Sequence, residues 1–434
     1  MVFGIDIGRT IRVAKMGNDG KPVSVYFDSL GADYLLSSIY FEDANNIFYG
    51  EDAEILMVDS PEKGVRFSKM MLETEDSLIE VDGHTYPPYM ILALLLRRIK
   101  DLIEQQPGMK MTDVVITCPE YLGYIEKSRI REAGLLAGLN VIGLISDGSA
   151  AILGTCYPNL PSEEVFLVYD LGDTFKVSVI KCEKDGFTTI CTAGDSSCDI
   201  DSLKQYLYQM LIDRLEAEGV DISSLTSITT SEIRLSVEKI IVQLSERRFV
   251  QGRIGIGNEK YSYVISKDEF EEATYAFAEQ TLDTVERALD TAHMRKGIDN
   301  VDIILIVGGA SQMPIIRETV QARFPGKVIV ADPVRAMAKG AVILGVSDRR
   351  TVCANCRHDY ISGDKYCRFC GAPMGTPDYI ERDFACIYGP PPMKRVHTCA
   401  KCGFSWETKE MIDSQKWCPK CGGSAPGIES DDSE

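Results

Sequence analysis

The sequence predicts a two-lobed α/β protein that runs into a cysteine-rich metal module. A strand–turn–strand unit occurs twice, strands lead into helices in both halves, and eight cysteines fall into Cys-x-x-Cys pairs after residue 350. The first unit reads Gly4-Ile5-Asp6-Ile7-Gly8-Arg9-Thr10 and runs on to Met16. The second reads Val168-Tyr169-Asp170-Leu171-Gly172-Asp173-Thr174 and runs on to Ile180. Asp6 aligns with Asp170, Gly8 with Gly172 and Thr10 with Thr174. One such turn is an ordinary β-turn. Duplication with matched flanking strands indicates two related lobes. A turn that offers glycine, backbone N–H groups, a Thr hydroxyl and a carboxylate suits phosphate and Mg²⁺. Two copies suit a polyphosphate held from opposite sides.

The elements follow in order. Residues 1–27 read as three strands, turning at Gly8-Arg9 and over 17–20. Residues 28–111 mix loops with a buried helix over 89–105. A strand over 113–118 stops at Pro119. A helix over 122–137 is capped by Gly138. A buried strand over 141–145 leads into Ser146-Asp147-Gly148-Ser149, which opens another helix. Residues 165–195 repeat the three-strand order of the N-terminus. Then come an amphipathic helix over 201–217 and, within 220–300, helices alternating with a short hairpin around Gly255. A strand over 302–307 ends in Gly308-Gly309, with a helix from Met313 behind it. A short strand over 328–330 and a small-residue helix over 336–344 close the second half.

Composition narrows the function. The 434 residues are 45% hydrophobic and 26% charged, as in a globular protein with more than one core. A net charge of −19 repels polyanions, so nucleic acid and anionic membrane are not expected partners. The N-terminus enters a strand at once, without the basic and apolar regions of a signal peptide. The longest apolar run, over 90–96, is far too short to span a bilayer. The four histidines lie scattered without a nucleophile motif, which argues against a Ser-His-Asp hydrolase.

The paired cysteines are metal chemistry rather than a secreted disulfide framework, which places the chain in a reducing cytoplasm. Cys353-x-x-Cys356 and Cys367-x-x-Cys370 form one set of four thiolates. Cys399-x-x-Cys402 and Cys418-x-x-Cys421 form another. Two structural Cys₄ zinc ribbons are expected, closed and non-catalytic. Trp406 and Trp417 supply the small core of the second. Cys386 reads as a bland thiol, and residues 428–434 as an acidic tail.

Residues 1–349 resemble the nucleotide-binding domain of the heat-shock protein 70 (DnaK-type) chaperones, in the actin and sugar-kinase superfamily. The stretch from Val114 to Cys118-Pro119, and on through Ala133-Gly134-Leu135-Leu136-Ala137-Gly138-Leu139-Asn140-Val141, resembles that family's strand, proline, helix and A-G-x-x-A-G-L-x-V segment. The two turns resemble its two phosphate motifs. Val307-Gly308-Gly309-Ala310-Ser311-Gln312-Met313-Pro314 resembles its adenosine motif, and Phe67-Ser68-Lys69 the segment that carries a lysine to the γ-phosphate.

The resemblance implies an actin-like ATPase fold, a duplicated ribonuclease H-like domain, with lobe I over about 1–186 and lobe II over about 187–349. Residues 350–434 form the ribbon module. ATP or ADP with Mg²⁺ is the implied ligand. Asp6 and Asp170 hold Mg²⁺ through water, and the turns with Gly8, Thr10, Gly172 and Thr174 hold phosphates. Lys69, Asp147 and Asp170 are the implied catalytic groups. Glu238, Ser245, Gly308 and Gly309 surround the nucleoside.

The departures matter. Arg9 replaces an inner threonine of the first turn, where it either reaches phosphate or plugs the site. In the second turn Asp173 stands for two glycines, and Lys176 replaces the motif's last aspartate. Asp147 replaces a longer glutamate. Ile241 and Val242 replace an adenine-contacting lysine and arginine, and Gln312 a stacking arginine. Weak, Mg²⁺-dependent nucleotide binding with slow or absent hydrolysis is therefore expected. After Gly345 the chain enters Cys-rich sequence, with no room for the peptide-binding half of such chaperones. Two functions fit: a chaperone-like ATP-binding switch that docks a protein partner through its ribbons or lobes, or a pseudo-ATPase scaffold.

Overall fold

The computed structural model describes residues 1–347 except 29–30, 44–45, 73–77, 184–185, 258, 298–299 and 331, and beyond them residues 350–352, 359–361, 385–388, 395–398 and 405–408. The chain divides into two compact units, Met1–Tyr388 and Gly389–Glu434.

The first half runs β1 (Val2–Ile7), β2 (Thr10–Met16), β3 (Pro22–Ser24), β4 (Tyr34–Leu36), β5 (Ser38–Phe41), β6 (Ile47–Tyr49), α1 (Glu51–Leu56), β7 (Gly64–Arg66), β8 (Ile79–Val81), β9 (His84–Tyr86), α2 (Pro88–Glu104), β10 (Asp113–Cys118), α3 (Tyr124–Leu136), β11 (Asn140–Ser146) and α4 (Asp147–Cys156). The second runs β12 (Val165–Leu171), β13 (Phe175–Glu183), β14 (Gly186–Asp195), α5 (Ile200–Ala217), α6 (Ser227–Glu246), β15 (Phe249–Ile256), β16 (Glu259–Ser266), α7 (Lys267–Lys296), β17 (Ile303–Val307), α8 (Pro314–Arg323), β18 (Val328–Ile329) and α9 (Ala336–Val346). Short strands follow: β19 (Arg350–Val352), β20 (Asp359–Ile361), β21 (Ala385–Tyr388), β22 (Arg395–Thr398) and β23 (Ser405–Thr408).

The duplication is visible in the sheets. The first has the order β11-β10-β1-β2-β3, with β4 also on β2, and the second β18-β17-β12-β13-β14-β21. In each, the strand that ends in the aspartate lies parallel to one neighbour and antiparallel to its hairpin mate. Even the register repeats: Asp6 stands opposite Arg12, and Asp170 opposite Lys176.

The second sheet opens at Val165, and β13 pairs with β14 within it. The sheet also takes a strand from far along the chain, since β21 lies parallel on the edge of β14. The small strands and short helix over 34–86 are not legible in the sequence, because three or four residues carry too little periodicity. The hairpin around Gly255 is longer than expected, with eight residues in each strand.

Helices α4 and α9 join the sheets. α4 packs on Phe166, Val168 and Ile180 of the second sheet, while α9 covers Gly4 and Ala14 of the first. The two helices touch backbone to backbone. A methyl group added at Gly340 would fall 1.9 Å from the Ala150 carbonyl oxygen, and one at Gly154 1.9 Å from that of Ala336. Contact this close admits only glycine and fixes how the two sheets face each other.

Candidate functional site

β1 and β12 both end at a cavity of about 380 Å³. Each strand delivers its aspartate and then turns through its glycine. The turns are closed by the same bond: Gly8 N–H donates to the Thr10 carbonyl at 3.1 Å, and Gly172 N–H to that of Thr174 at 3.2 Å. Asp6, Gly8, Arg9 and Thr10 line the cavity from the first sheet. Asp170, Gly172, Thr174 and Lys176 line it from the second.

Between the turns lies a buried ion-pair chain. Lys69, in the 3₁₀ turn Lys69–Leu72, places Nζ 2.8 Å from Asp147 Oδ1 and 4.0 Å from Asp6 Oδ1. Thr117, on β10 beside β1, donates to Asp6 Oδ1 at 2.7 Å. Asp147 opens α4 behind the N-cap Ser146 and is 3% exposed. Its second oxygen, Oδ2, accepts from Lys176 Nζ at 2.8 Å, and Lys176 also stands 3.5 Å from Asp170 Oδ2. The register explains this placement. Residues directly opposite in an antiparallel pair project to one face, so Lys176 follows Asp170 into the cleft.

The charges settle one another. Burial alone would raise Asp147, but Lys176 and then Lys69 outweigh it and hold the carboxyl down at about 2. Burial also disfavours both ammonium groups, and the carboxylates, Asp147 foremost, reverse that and raise them. Asp170 is pushed up to about 7 by burial, because one ammonium does not offset burial plus Asp147, Asp173 and Asp6. Asp6 is raised for the same reason, with Lys69 opposing.

The lining also has apolar members. Ile241, Met313, Val334 and Met337 line the cavity together with Ser245 and Gln312. Gly308 and Gly309 line it beside Asp170. Gly308 has φ +91°, and a Cβ there would stand 2.3 Å from the Leu171 carbonyl oxygen and 2.8 Å from Asp170 Oδ1. Only glycine permits this approach.

The fold therefore gathers Asp6, Gly8, Arg9, Thr10, Lys69, Asp147, Asp170, Gly172, Thr174, Ser245, Gly308 and Gly309 around one cavity. The Glu238 side chain lies outside the described residues, as do Cys353, Cys356, Cys367, Cys370, Cys399, Cys402, Cys418 and Cys421. Among the described residues no group of three or more His, Cys, Asp or Glu is placed to hold a metal ion directly. None of the described helices is long and apolar enough to cross a membrane.

Three participants escape the motif reading. Thr117 sits in an ordinary-looking strand. Glu120, 6% exposed, accepts from Gly148 N–H at 2.6 Å and anchors the start of α4. Lys176 is readable only as a lost aspartate until the register turns it inward. Arg9 lines the cavity and also reaches beyond its own turn. Its guanidinium meets Asp201 of α5 at 3.2 Å.

Residues 44–348 match the family described as "Hsp70 protein". The chain is also similar to proteins named "Chaperone protein DnaK" from Thermotoga petrophila, Thermotoga sp. strain RQ2 and Thermotoga maritima. Each is 29% identical over 355 residues, which is 79% of this chain and 58% of the relative. The chain thus spans little more than half the length of these curated relatives.

Proposed function

Since the chain belongs to the Hsp70 family, we propose that it is a nucleotide-binding switch of slow or absent turnover, joined to a zinc-ribbon docking module. The observation that carries this reading is the convergence of both phosphate-type turns and Gly308-Gly309 on one cavity. In it the N–H groups of the two turns cradle phosphates. Gly308-Gly309, Ser245 and the apolar wall at Ile241 and Met313 receive the nucleoside. Loss of the cationic base contacts weakens recognition of the base.

Lys69 is the group that meets the terminal phosphate, and Asp147 the one that would orient water. Asp147 accepts from a lysine on each oxygen, Lys69 on Oδ1 and Lys176 on Oδ2. A carboxylate held down to about 2 by two ammonium groups is a poor base, which supports slow hydrolysis. Asp6 and Asp170 are the oxygen donors that would hold Mg²⁺ through water, and the ion would supply neutralising charge. Asp6 fits that role; Asp170 already faces Lys176.

The ribbon module spans residues 350–434 in this reading and binds two structural Zn²⁺ ions. The cysteine spacing supports it. So do two antiparallel strand pairs, β19 with β20 and β22 with β23, between whose ranges in the sequence fall Cys353 and Cys356, and Cys399 and Cys402. The ribbons or the lobes then dock a protein partner in a reducing cytoplasm.

The low basicity of Asp147 favours a second reading, a pseudo-ATPase scaffold in which no nucleotide cycle operates. Thermal unfolding separates the two. A ligand that binds only the folded chain raises Tm with concentration. The switch requires ATP or ADP to raise it, and a Tm indifferent to both leaves the scaffold.

A further inference from the structure

The Lys176 ammonium lines the cleft among three carboxylates. It is 5% exposed, hydrogen-bonded to Asp147 Oδ2 at 2.8 Å and 3.5 Å from Asp170 Oδ2. Lys69 takes the other oxygen of Asp147 at 2.8 Å. Asp6, Asp147 and Asp170 therefore meet two fixed ammonium groups before any ligand arrives. A metal ion held through water by Asp6 and Asp170 needs the oxygens of both as acceptors for its bound water. One oxygen of Asp170 is engaged, and the engaging group repels a divalent cation.

We propose that Lys176 is a built-in counter-cation that takes over the charge-neutralising role of a divalent metal, so that the cleft holds a nucleoside di- or triphosphate without Mg²⁺. A covalently tethered ammonium is always present, whereas a metal must be captured. It also lines the same cavity as the two turns, into which the negative charge of a polyphosphate would be brought. This reverses the Mg²⁺ dependence that the sequence alone leads one to expect. It rests on the nucleotide reading above.

The test is titration of the full chain with ADP and ATP, in Mg²⁺ and in EDTA, for the wild type and for Lys176→Met. The wild type should bind with an affinity that EDTA changes by less than about threefold, whereas Lys176→Met should lose about tenfold or more in EDTA and recover in Mg²⁺. Wild-type binding that disappears in EDTA overturns the proposal and leaves nucleotide binding intact. So does a folded Lys176→Met chain that binds equally well without metal. No binding under either condition overturns the nucleotide reading, and this proposal with it. If Lys176→Met does not fold, the wild type decides by Mn²⁺ paramagnetic resonance. Mn²⁺–ADP should keep the spectrum it has in free solution when the protein is added, and a new protein-bound signal overturns the proposal.

Discussion

Arg9 and Asp201 meet at 3.2 Å and tie the turn after β1 to the first turn of α5. Asp201 also holds Lys204 at 3.3 Å, so its carboxylate sits between two cations. The pair is partly exposed, and such pairs contribute about 0.2–1 kcal/mol. Its effect is on the position of Arg9, which cannot face phosphate and Asp201 equally. Asp201→Asn should release the guanidinium toward the phosphates and tighten ADP binding by about two- to fivefold, the range those energies allow. The gain should vanish in Arg9→Thr. A double-mutant cycle on ADP affinity checks this, and additive effects would contradict it.

Turnover should be far below that of an ordinary chaperone ATPase, because Lys69 and Lys176 hold Asp147 at a low basicity, its carboxyl kept down at about 2. Lys69→Ala should remove whatever hydrolysis remains. It also leaves a buried carboxylate short of one cation, which costs about 3–5 kcal/mol when the loss is complete. Phosphate release under single-turnover conditions, with thermal unfolding alongside, measures both. Fast wild-type hydrolysis abolished by Lys69→Ala would show a working ATPase site.

Asp170 gives the cleft a pH signature. Its carboxyl holds a proton to about 7 in the folded chain, against an ordinary value of 3.8. Folding therefore takes up a proton between those values, and the stabilisation it brings is complete below the lower one and lost as pH rises through the upper. Asp170→Asn cannot titrate. Urea unfolding across this window should show the wild type losing more stability toward alkaline pH than Asp170→Asn does. Parallel curves would contradict the assignment.

Both lobes were legible because duplication is a signal that survives divergence. Asp6, Gly8 and Thr10 return as Asp170, Gly172 and Thr174, and the structure closes both turns with the same hydrogen bond. Gly308 was legible for a related reason: its backbone approach admits no side chain, so the residue type records the geometry. What sequence could not convey was direction. Arg9 reads as a residue beside phosphate, yet its guanidinium crosses to Asp201, 192 positions away. Lys176 reads as a missing aspartate, but its partner Asp147 lies on another element, and only the strand register brings them together. The short strands over 34–86 escaped because tertiary packing, not periodicity, makes them strands.

The eight paired cysteines set a separate expectation. Purified chain should carry two equivalents of zinc by elemental analysis, and Cys353→Ser or Cys418→Ser should each remove one. Ligand loss should unfold only the ribbon concerned, since metal binding and ribbon folding are one event. Proteolysis should then cut near the altered pair while residues 1–347 stay protected. Zinc-free or iron-containing protein would contradict the ribbon reading.

Calorimetric titration of the full chain with ATP, ADP and GTP tests nucleotide binding most directly. Saturable heat with one site per chain is the predicted result. The affinity should be weak, and the preference for adenine over guanine small, because Ile241 and Gln312 stand where cationic base contacts are expected. No saturable heat with any of the three nucleotides, with or without Mg²⁺, would contradict the switch and leave the cavity as the remnant of one in a scaffold.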